Sequence, residues 1–124
     1  MRLNQVTIAV SELARSIEFY RGLGLEQIVD SPHYARFVCP DNDTTFSLHV
    51  ADQVTPGTTV LYFECDDLDT TVLELERSGY RFEQAPVDQK WLWRETYLRD
   101  PDGHRICLFH AGENRINPPW RMKR

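Results

Sequence analysis

The strongest constraint on the fold is a segment that occurs twice. Residues 10–25 match residues 65–80 at a constant offset of 55 positions. Each copy starts with a residue able to cap a helix, Ser11 or Asp66, because its side-chain oxygen can accept from free backbone N–H groups. Each copy then has apolar residues at helical spacing and ends at a glycine, which favours the left-handed position after a helix. The apolar pairs are Leu13 with Leu68, Ile17 with Val72 and Tyr20 with Leu75, and the glycines are Gly24 and Gly79.

Strand patterns surround both copies in the same order. The predicted strands are 3–10, 25–30, 34–39 and 44–50 in the first half, and 58–65, 80–84, 91–99 and 104–110 in the second, where the helix spans 67–78. The sequence therefore predicts two βαβββ modules, 1–52 and 58–110, in one domain over 1–112. A C-terminal tail, 113–124, follows, and its two prolines predict no regular element there.

Composition excludes several classes of function. The formal net charge is −5, which argues against nucleic acid as the main partner, because phosphate binding needs a clustered basic surface. No apolar run is long enough to span a membrane and no secretion leader is evident, so we expect no membrane partner and a cytoplasmic location. The three cysteines, Cys39, Cys65 and Cys107, form no CxxC pair and are interpreted as reduced core thiols.

Two segments resemble the vicinal oxygen chelate superfamily, which includes glyoxalase I, extradiol dioxygenases, fosfomycin-resistance transferases and bleomycin-binding proteins. Residues 5–25, QVTIAVSELARSIEFYRGLGL, resemble the opening of these proteins, and residues 99–106, RDPDGHRI, resemble their final hairpin. The resemblance covers residues 3–110. It implies an α+β fold in which each βαβββ module curls a mixed sheet into half of a cup, with helices outside and the ligand inside. It also implies a homodimer, because each half-cup leaves apolar surface that a partner covers.

The resemblance also identifies four positions where family members bind a metal. These positions lie on the first and last strand of each module and hold Gln5, Ser47, Val60 and Cys107 in this chain. Gln5 is an acceptable ligand, whereas Val60 has no donor atom. An open catalytic metal site normally needs three protein ligands. We therefore expect the usual metal site to be absent and predict no cofactor.

An alternative metal site is possible within the same resemblance. His49 lies two residues beyond Ser47 and shares its strand face, so one divalent metal ion held by Gln5, His49 and Glu64 is chemically acceptable. That site would make the protein a metal-dependent lyase, isomerase or dioxygenase. Without metal, Glu64 or Glu95 remains a candidate general base in an apolar cup. The sequence leaves open whether the protein is an enzyme.

The residues expected to line the cup indicate what it binds. If 91–99 is one strand, then Trp91, Trp93 and Glu95 share a face. An aromatic lining with few polar groups is the general form of a small-molecule site, and inward carboxylates favour neutral or cationic ligands. The main prediction is a metal-free protein that binds a small organic, aromatic or planar molecule. The predicted ligand-binding residues are Gln5, Ser47, His49, Tyr62, Glu64, Trp91, Trp93, Glu95, Cys107 and Phe109.

Overall fold

A computed structural model describes residues 1–123 and contains two four-stranded mixed sheets, each with one α-helix. The first half contains β1 (Gln5–Val10), α1 (Leu13–Gly22), β2 (Glu26–Ser31), β3 (Tyr34–Val38) and β4 (Thr45–Val50). The second contains β5 (Val60–Glu64), α2 (Leu68–Arg77), β6 (Val87–Asp88), β7 (Arg94–Arg99) and β8 (Arg105–His110). The α+β class and the βαβββ order of both modules, predicted from the sequence, are confirmed.

The chain divides into two compact units with the same topology. The first unit is Met1–Gly57 with Asp100–Gly103, and the second is Thr58–Arg99 with the chain from His104 onward. The strand orders are β1-β4-β3-β2 and β5-β8-β7-β6, and in each sheet the first strand runs parallel to the last. The grouping of both units into a single domain over 1–112 stays a prediction.

The first unit has an aromatic core centred on Tyr20 of α1, which is fully buried. Its ring centroid lies 4.7 Å from that of Phe46 and 6.4 Å from that of Phe37. The Tyr20 hydroxyl donates to Asp100 Oδ2 at 2.7 Å. Burial, and then the Asp100 charge, raise the pKa of Tyr20, so the phenol stays protonated and keeps donating.

The second unit buries an aliphatic core on one face of its sheet. Leu98 pairs with Ile106 across β7 and β8, and both side chains are buried. The α2 residues at helical spacing complete this core, and α2 packs on β8. They are Leu68, Val72 and Leu75. Because side chains alternate along a strand, Cys107 and Phe109 point to the opposite face of the sheet.

The predicted helix starts are wrong by one residue, whereas the predicted glycine ends are correct. Both caps lie one residue later than predicted: Glu12 precedes α1 without a side-chain cap, and Asp67 caps α2 by accepting from the Thr70 N–H at 3.2 Å. Ser11 does not cap because its hydroxyl donates to Asp102 Oδ1 at 2.5 Å. The glycine ends are confirmed by the positive φ angles of Gly24, +105°, and Gly79, +99°.

Two strand predictions in the second half are wrong. The run 80–84 is not a strand, although the Glu83 N–H donates to the Tyr97 carbonyl at 2.8 Å; the regular ladder with β7 is formed by Val87–Asp88, after Pro86. The long strand begins at Arg94 rather than at residue 91 because Leu92 has φ +68°, a left-handed conformation that ends the extended run. The Leu92 N–H donates to the Gln89 carbonyl at 3.0 Å and closes a hairpin loop. Trp91 therefore lies in this loop and not on the strand.

The tail contains a short regular element that the sequence analysis missed. A 3-10 helix spans Gly112–Arg115. Its start is fixed by Glu64, whose Oε2 accepts from the Ala111 N–H at 2.7 Å and the Gly112 N–H at 2.9 Å. The predicted tail extends to Arg124, which lies outside the described residues. Within the described chain, no helix is long and apolar enough to cross a membrane.

Candidate functional site

Three adjacent strands of the first sheet, β1, β4 and β3, carry a hydrogen-bonded polar network, here called the polar face. It comprises Gln5 and Thr7 on β1, Tyr34 and Arg36 on β3, and Ser47 on β4. Ser47 Oγ is fully buried between two partners, Gln5 Nε2 at 2.9 Å and Tyr34 Oη at 2.6 Å. Arg36 Nε donates to the same Tyr34 oxygen at 2.9 Å. Five side chains from three strands thus form one connected network.

Tyr34 is the titratable group most affected by this network. The hydrogen bond from Ser47, followed by the bond and charge of Arg36, lowers the pKa of Tyr34 despite an opposing contribution from burial. A lowered phenol pKa means that its surroundings stabilise negative charge at the oxygen. The polar face thus places the cation Arg36 beside a phenol oxygen that already accepts two hydrogen bonds.

The second sheet carries at the equivalent place a set of rings, here called the aromatic face. It comprises Tyr62 on β5, Trp93 before β7, Tyr97 on β7, and Cys107 and Phe109 on β8. Trp93 stacks on Phe109 with centroids 4.6 Å apart and planes inclined by 17°. Tyr62 meets both rings edge-on, at 5.9 Å and 5.7 Å, and is 48% exposed. The outer ring of the cluster is thus open to solvent.

Glu95 is a buried carboxylate beside these rings, with only 2% of its surface exposed. It accepts from the Trp91 indole N–H at 2.9 Å and from the Tyr97 hydroxyl at 3.2 Å. Trp91 therefore joins Glu95 through a hydrogen bond across the hairpin loop, not through strand alternation as predicted. Burial, then neighbouring acidic groups, raise the pKa of Tyr97, so its hydroxyl remains a donor.

The four family metal positions do not fit a divalent metal. Strand register places Thr7 beside Ser47 and Tyr62 beside Cys107, which confirms that Ser47 and Cys107 are equivalent positions. Val60 offers no ligand atom. Burial, and then the Glu95 charge, raise the pKa of Cys107 to about 12, so this residue stays a thiol, whereas metals bind the thiolate. The described residues contain no group of three or more His, Cys, Asp or Glu side chains arranged to bind an ion.

The alternative metal set of Gln5, His49 and Glu64 is not brought together either. The parallel register places His49 beside Ala9, four residues from Gln5, or about 13 Å at roughly 3.3 Å per residue. The Gln5 amide is bonded within the polar face, and Glu64 belongs to the other unit. The Glu64 carboxylate accepts from the two N–H groups at the start of the 3-10 helix and lies 3.5 Å from Arg115 Nε.

Two open depressions of the first unit contain none of the predicted site residues. They lie between α1 and β2, have volumes of about 670 and 710 Å³, and share Arg21, Gln27 and Asp30. Their lining offers no cluster of chemically reactive groups. Size alone does not identify a site, so the polar and aromatic faces remain the candidates.

Tyr34 and Arg36 belong to the polar face but were not among the site residues predicted from the sequence. Their alternation on a predicted strand gave a usable signal, because residues two apart share a face. Ser47 lies on the same face because it pairs with Arg36 across β3 and β4. This pairing is visible in the structure and not in the sequence.

Two βαβββ units that each carry a side-chain cluster on the sheet face away from the helix define a duplicated α+β class of protein. A model of the Glyoxalase/Bleomycin resistance protein/Dioxygenase superfamily matches residues 2–108. The chain belongs to this superfamily.

Individual relatives are distant. The chain is 28% identical to an uncharacterized protein, YraH, of Bacillus subtilis, over 88% of this chain and 98% of that protein. It is 28% identical to a probable trivalent organoarsenical cleaving enzyme of the same species, over 92% of this chain and 83% of the relative. A crystal structure of a bleomycin resistance determinant encoded on transposon Tn5 is 17% identical, with a TM-score of 0.75 over 90% of this chain and 98% of the other. At that identity, the likeness concerns the fold.

Proposed function

We propose that the protein binds a small, flat organic molecule on the aromatic face without the superfamily's usual metal. The observation that carries this proposal is the stack of Trp93 on Phe109 with the half-exposed Tyr62 standing edge-on to both. Aromatic rings gain about 0.5–1.5 kcal/mol per favourable ring pair beyond burial of area. A planar ligand would pack against this cluster in the same way that the rings of the cluster pack against each other.

The charges near the aromatic face favour a neutral or cationic ligand. Glu95 accepts only from the neutral donors of Trp91 and Tyr97, so its negative charge is not compensated by a cation in direct contact. A ligand carboxylate close to this group would add a second buried anion, which is unfavourable. A ligand N–H or a cationic group meets no such penalty.

Binding is favoured over metal-dependent catalysis by the chemistry of the ligand positions. One Bacillus relative is named as an organoarsenical cleaving enzyme and the Tn5 relative as a resistance determinant, so both catalysis and protection occur among similar proteins. In this chain Val60 and the protonated Cys107 stand at positions where metal ligands are needed. The role that suits these residues is sequestration of a small molecule.

Quenching of tryptophan fluorescence tests the proposal. Trp120 is 58% exposed and adds background, so titrations use a Trp120→Leu protein, which also serves as the parent for further variants. Planar neutral and cationic compounds are screened for saturable quenching. We expect Trp93→Ala to weaken binding about tenfold or more, corresponding to a loss of roughly 1.4 kcal/mol.

A matched substitution separates a ligand site from a packing core. Trp93→Phe keeps a ring against Phe109 and should retain most of the affinity, whereas Trp93→Leu keeps bulk but no ring. Ligand affinity unchanged in a folded Trp93→Leu protein would assign the rings to core packing alone.

We further propose a symmetric homodimer and a cytoplasmic location. Each sheet ends in edge strands, β1 and β2 in one and β5 and β6 in the other, and edges of this kind are commonly covered by a partner. Three free cysteines suit a reducing compartment. A monomer mass from light scattering at micromolar concentration would contradict the dimer.

A further inference from the structure

The directions of the hydrogen bonds on the polar face can be assigned from their chemistry. Gln5 Nε2 lies 3.1 Å from the Val6 carbonyl oxygen and 3.1 Å from Thr7 Oγ1, which assigns it as the amide nitrogen. It has two protons for three acceptors, and Ser47 Oγ is the nearest of them at 2.9 Å, so we assign one proton to Ser47. Ser47 then has one proton of its own. Because Ser47 is fully buried, leaving that proton unpaired would be costly, and among the described residues its one hydrogen-bonded acceptor is Tyr34 Oη at 2.6 Å. Ser47 therefore donates to Tyr34.

Tyr34 has a proton that no described residue accepts. Its oxygen accepts from Ser47 and from Arg36 Nε, and these are its two side-chain bonds within the described chain. A phenol that accepts twice still carries one O–H to donate. The terminal nitrogens of Arg36 also have no protein partner among the described residues, since its contacts are the Tyr34 oxygen and ring. Unused donors from two adjacent side chains thus lie together on a partly exposed face.

The positive charge of Arg36 is also uncompensated within the described residues. Within the described residues, no carboxylate forms an ion pair with Arg36, although the chain as a whole has a net charge of −5. The guanidinium lies 5.4 Å from the Tyr34 ring centroid, and a cation held over a ring is oriented as well as bound. The same Ser47 and Arg36 contacts lower the pKa of Tyr34, because they stabilise negative charge at its oxygen.

We propose that Tyr34 and Arg36 form a binding site for the oxyanion group of a small molecule, a carboxylate or a phosphate. The guanidinium fork matches two oxygens of such a group, and the Tyr34 O–H supplies a further donor to one of them. Gln5 and Ser47 act as positioning residues, because they fix the direction of the Tyr34 proton without contacting the ligand. This site lies on the first unit and does not rest on the function proposed for the aromatic face.

Three probes with the same ring test the proposal on the intact chain. Benzoate, phenyl phosphate and benzamide are titrated at low ionic strength while the Arg36 Nε–H resonance is followed by NMR. We expect saturable shifts with at least one of the two anions and at least tenfold weaker binding of neutral benzamide. The tighter of the two anions identifies the natural group as carboxylate or phosphate. Equal binding of benzamide, or no binding of either anion, would overturn the proposal.

Variants assign the effect to the two residues, with affinities measured from backbone resonances of the first unit. Arg36→Gln should weaken anion binding at least tenfold and Tyr34→Phe about three- to tenfold, while benzamide is unaffected. Arg21→Gln is the matched control, because it removes the same charge from an exposed site elsewhere on the unit. If Arg36→Gln does not fold, Arg36→Lys keeps the charge but lacks the fork and should still lose affinity. Anion affinity retained in a folded position-36 variant would refute the assignment.

The two proposals fail in different ways. If Trp93→Ala abolishes fluorescence quenching by planar ligands while anions still shift the Arg36 resonance, only the aromatic face is affected. Anion binding that depends on Arg36 supports the oxyanion site whatever the result of the fluorescence screen.

Discussion

The two sheets share one topology and one register, yet the sides that face away from their helices have opposite chemistry. The aligned pairs are Gln5 with Val60, Thr7 with Tyr62, Ser47 with Cys107, and His49 with Phe109. In every pair the first unit has the polar residue and the second the apolar or less polar one. The helix side of each sheet is apolar in both units, because it forms the core. The two units thus share an apolar helix side that forms the core, and they differ on the opposite side.

The charged groups differ in sign as well. The polar face holds the cation Arg36 without a paired carboxylate, and the aromatic face holds the carboxylate Glu95 with neutral donors. A cation can stay partly exposed with little cost, whereas Glu95 is buried and needs its two hydrogen bonds. The first unit therefore suits anionic groups and the second suits flat, neutral or cationic ones.

The largest expected difference between the units is at His49 and Phe109. Phe109 is almost fully buried under Trp93, so Phe109→Ala should cost about 3–5 kcal/mol of unfolding free energy through the cavity it leaves. His49 is exposed, so His49→Ala should change stability by less than about 0.5 kcal/mol. Urea denaturation measures both. Similar costs at the two positions would mean that the faces are not packed as differently as described.

An exchange of Ser47 and Cys107 should be harmful in both directions. Cys107→Ser puts a stronger hydrogen-bonding group among rings, and Ser47→Cys weakens the bonds with Gln5 and Tyr34, so each should cost about 1–3 kcal/mol. Denaturant midpoints of the single and double variants provide the measurement. A double variant as stable as the natural protein would show that the two faces tolerate each other's chemistry.

The two helix starts provide a smaller contrast. Asp67 accepts from the Thr70 N–H and hydroxyl, while Glu12 makes no cap bond. We expect Asp67→Ala to lower Tm by a few degrees and Glu12→Ala to leave it nearly unchanged. Thermal melts followed by circular dichroism distinguish these outcomes, and equal shifts would contradict the assigned caps.

The smallest effect is a difference in phenol titration. The Ser47 and Arg36 contacts lower the pKa of Tyr34, and burial raises that of Tyr97. Tyr34 should therefore ionise below its ordinary value of 10 and Tyr97 above it. In an ultraviolet titration, Tyr34→Phe should remove early absorbance and Tyr97→Phe late absorbance. The reverse order would be incompatible with the two faces as described.

The pH dependence of stability has opposite signs for these two groups. A lowered pKa at Tyr34 means that folding gains stability as pH rises from the folded pKa to the unfolded value near 10. A raised pKa at Tyr97 means stability present below pH 10 and lost above it. Tyr34→Phe should therefore steepen the loss of stability in alkali, and Tyr97→Phe should flatten it.

Periodicity and the offset of 55 were sufficient to predict the duplicated fold and its glycine ends. The pairing of Ser47 with Cys107 rested instead on the family resemblance, and it agrees with the strand register. The position of Trp91 was not predictable, because a left-handed Leu92 has no sequence signal of the kind that glycine gives. The partners of Glu64 are the N–H groups of Ala111 and Gly112, just before the tail. They lie 47 and 48 positions away, and no local pattern encodes them.

The bond from Tyr20 to Asp100 has a consequence for how such a protein can arise. The first unit is not encoded by one continuous stretch of gene, because the acceptor of its central phenol comes from residue 100. A half-length product ending at Gly57 would keep its helix and all four strands but leave a buried hydroxyl unpaired, at about 1–3 kcal/mol. Leu75, which aligns with Tyr20, needs no acceptor. At this position the second unit therefore makes no such demand, whereas the first unit depends on residue 100 to pair its central hydroxyl.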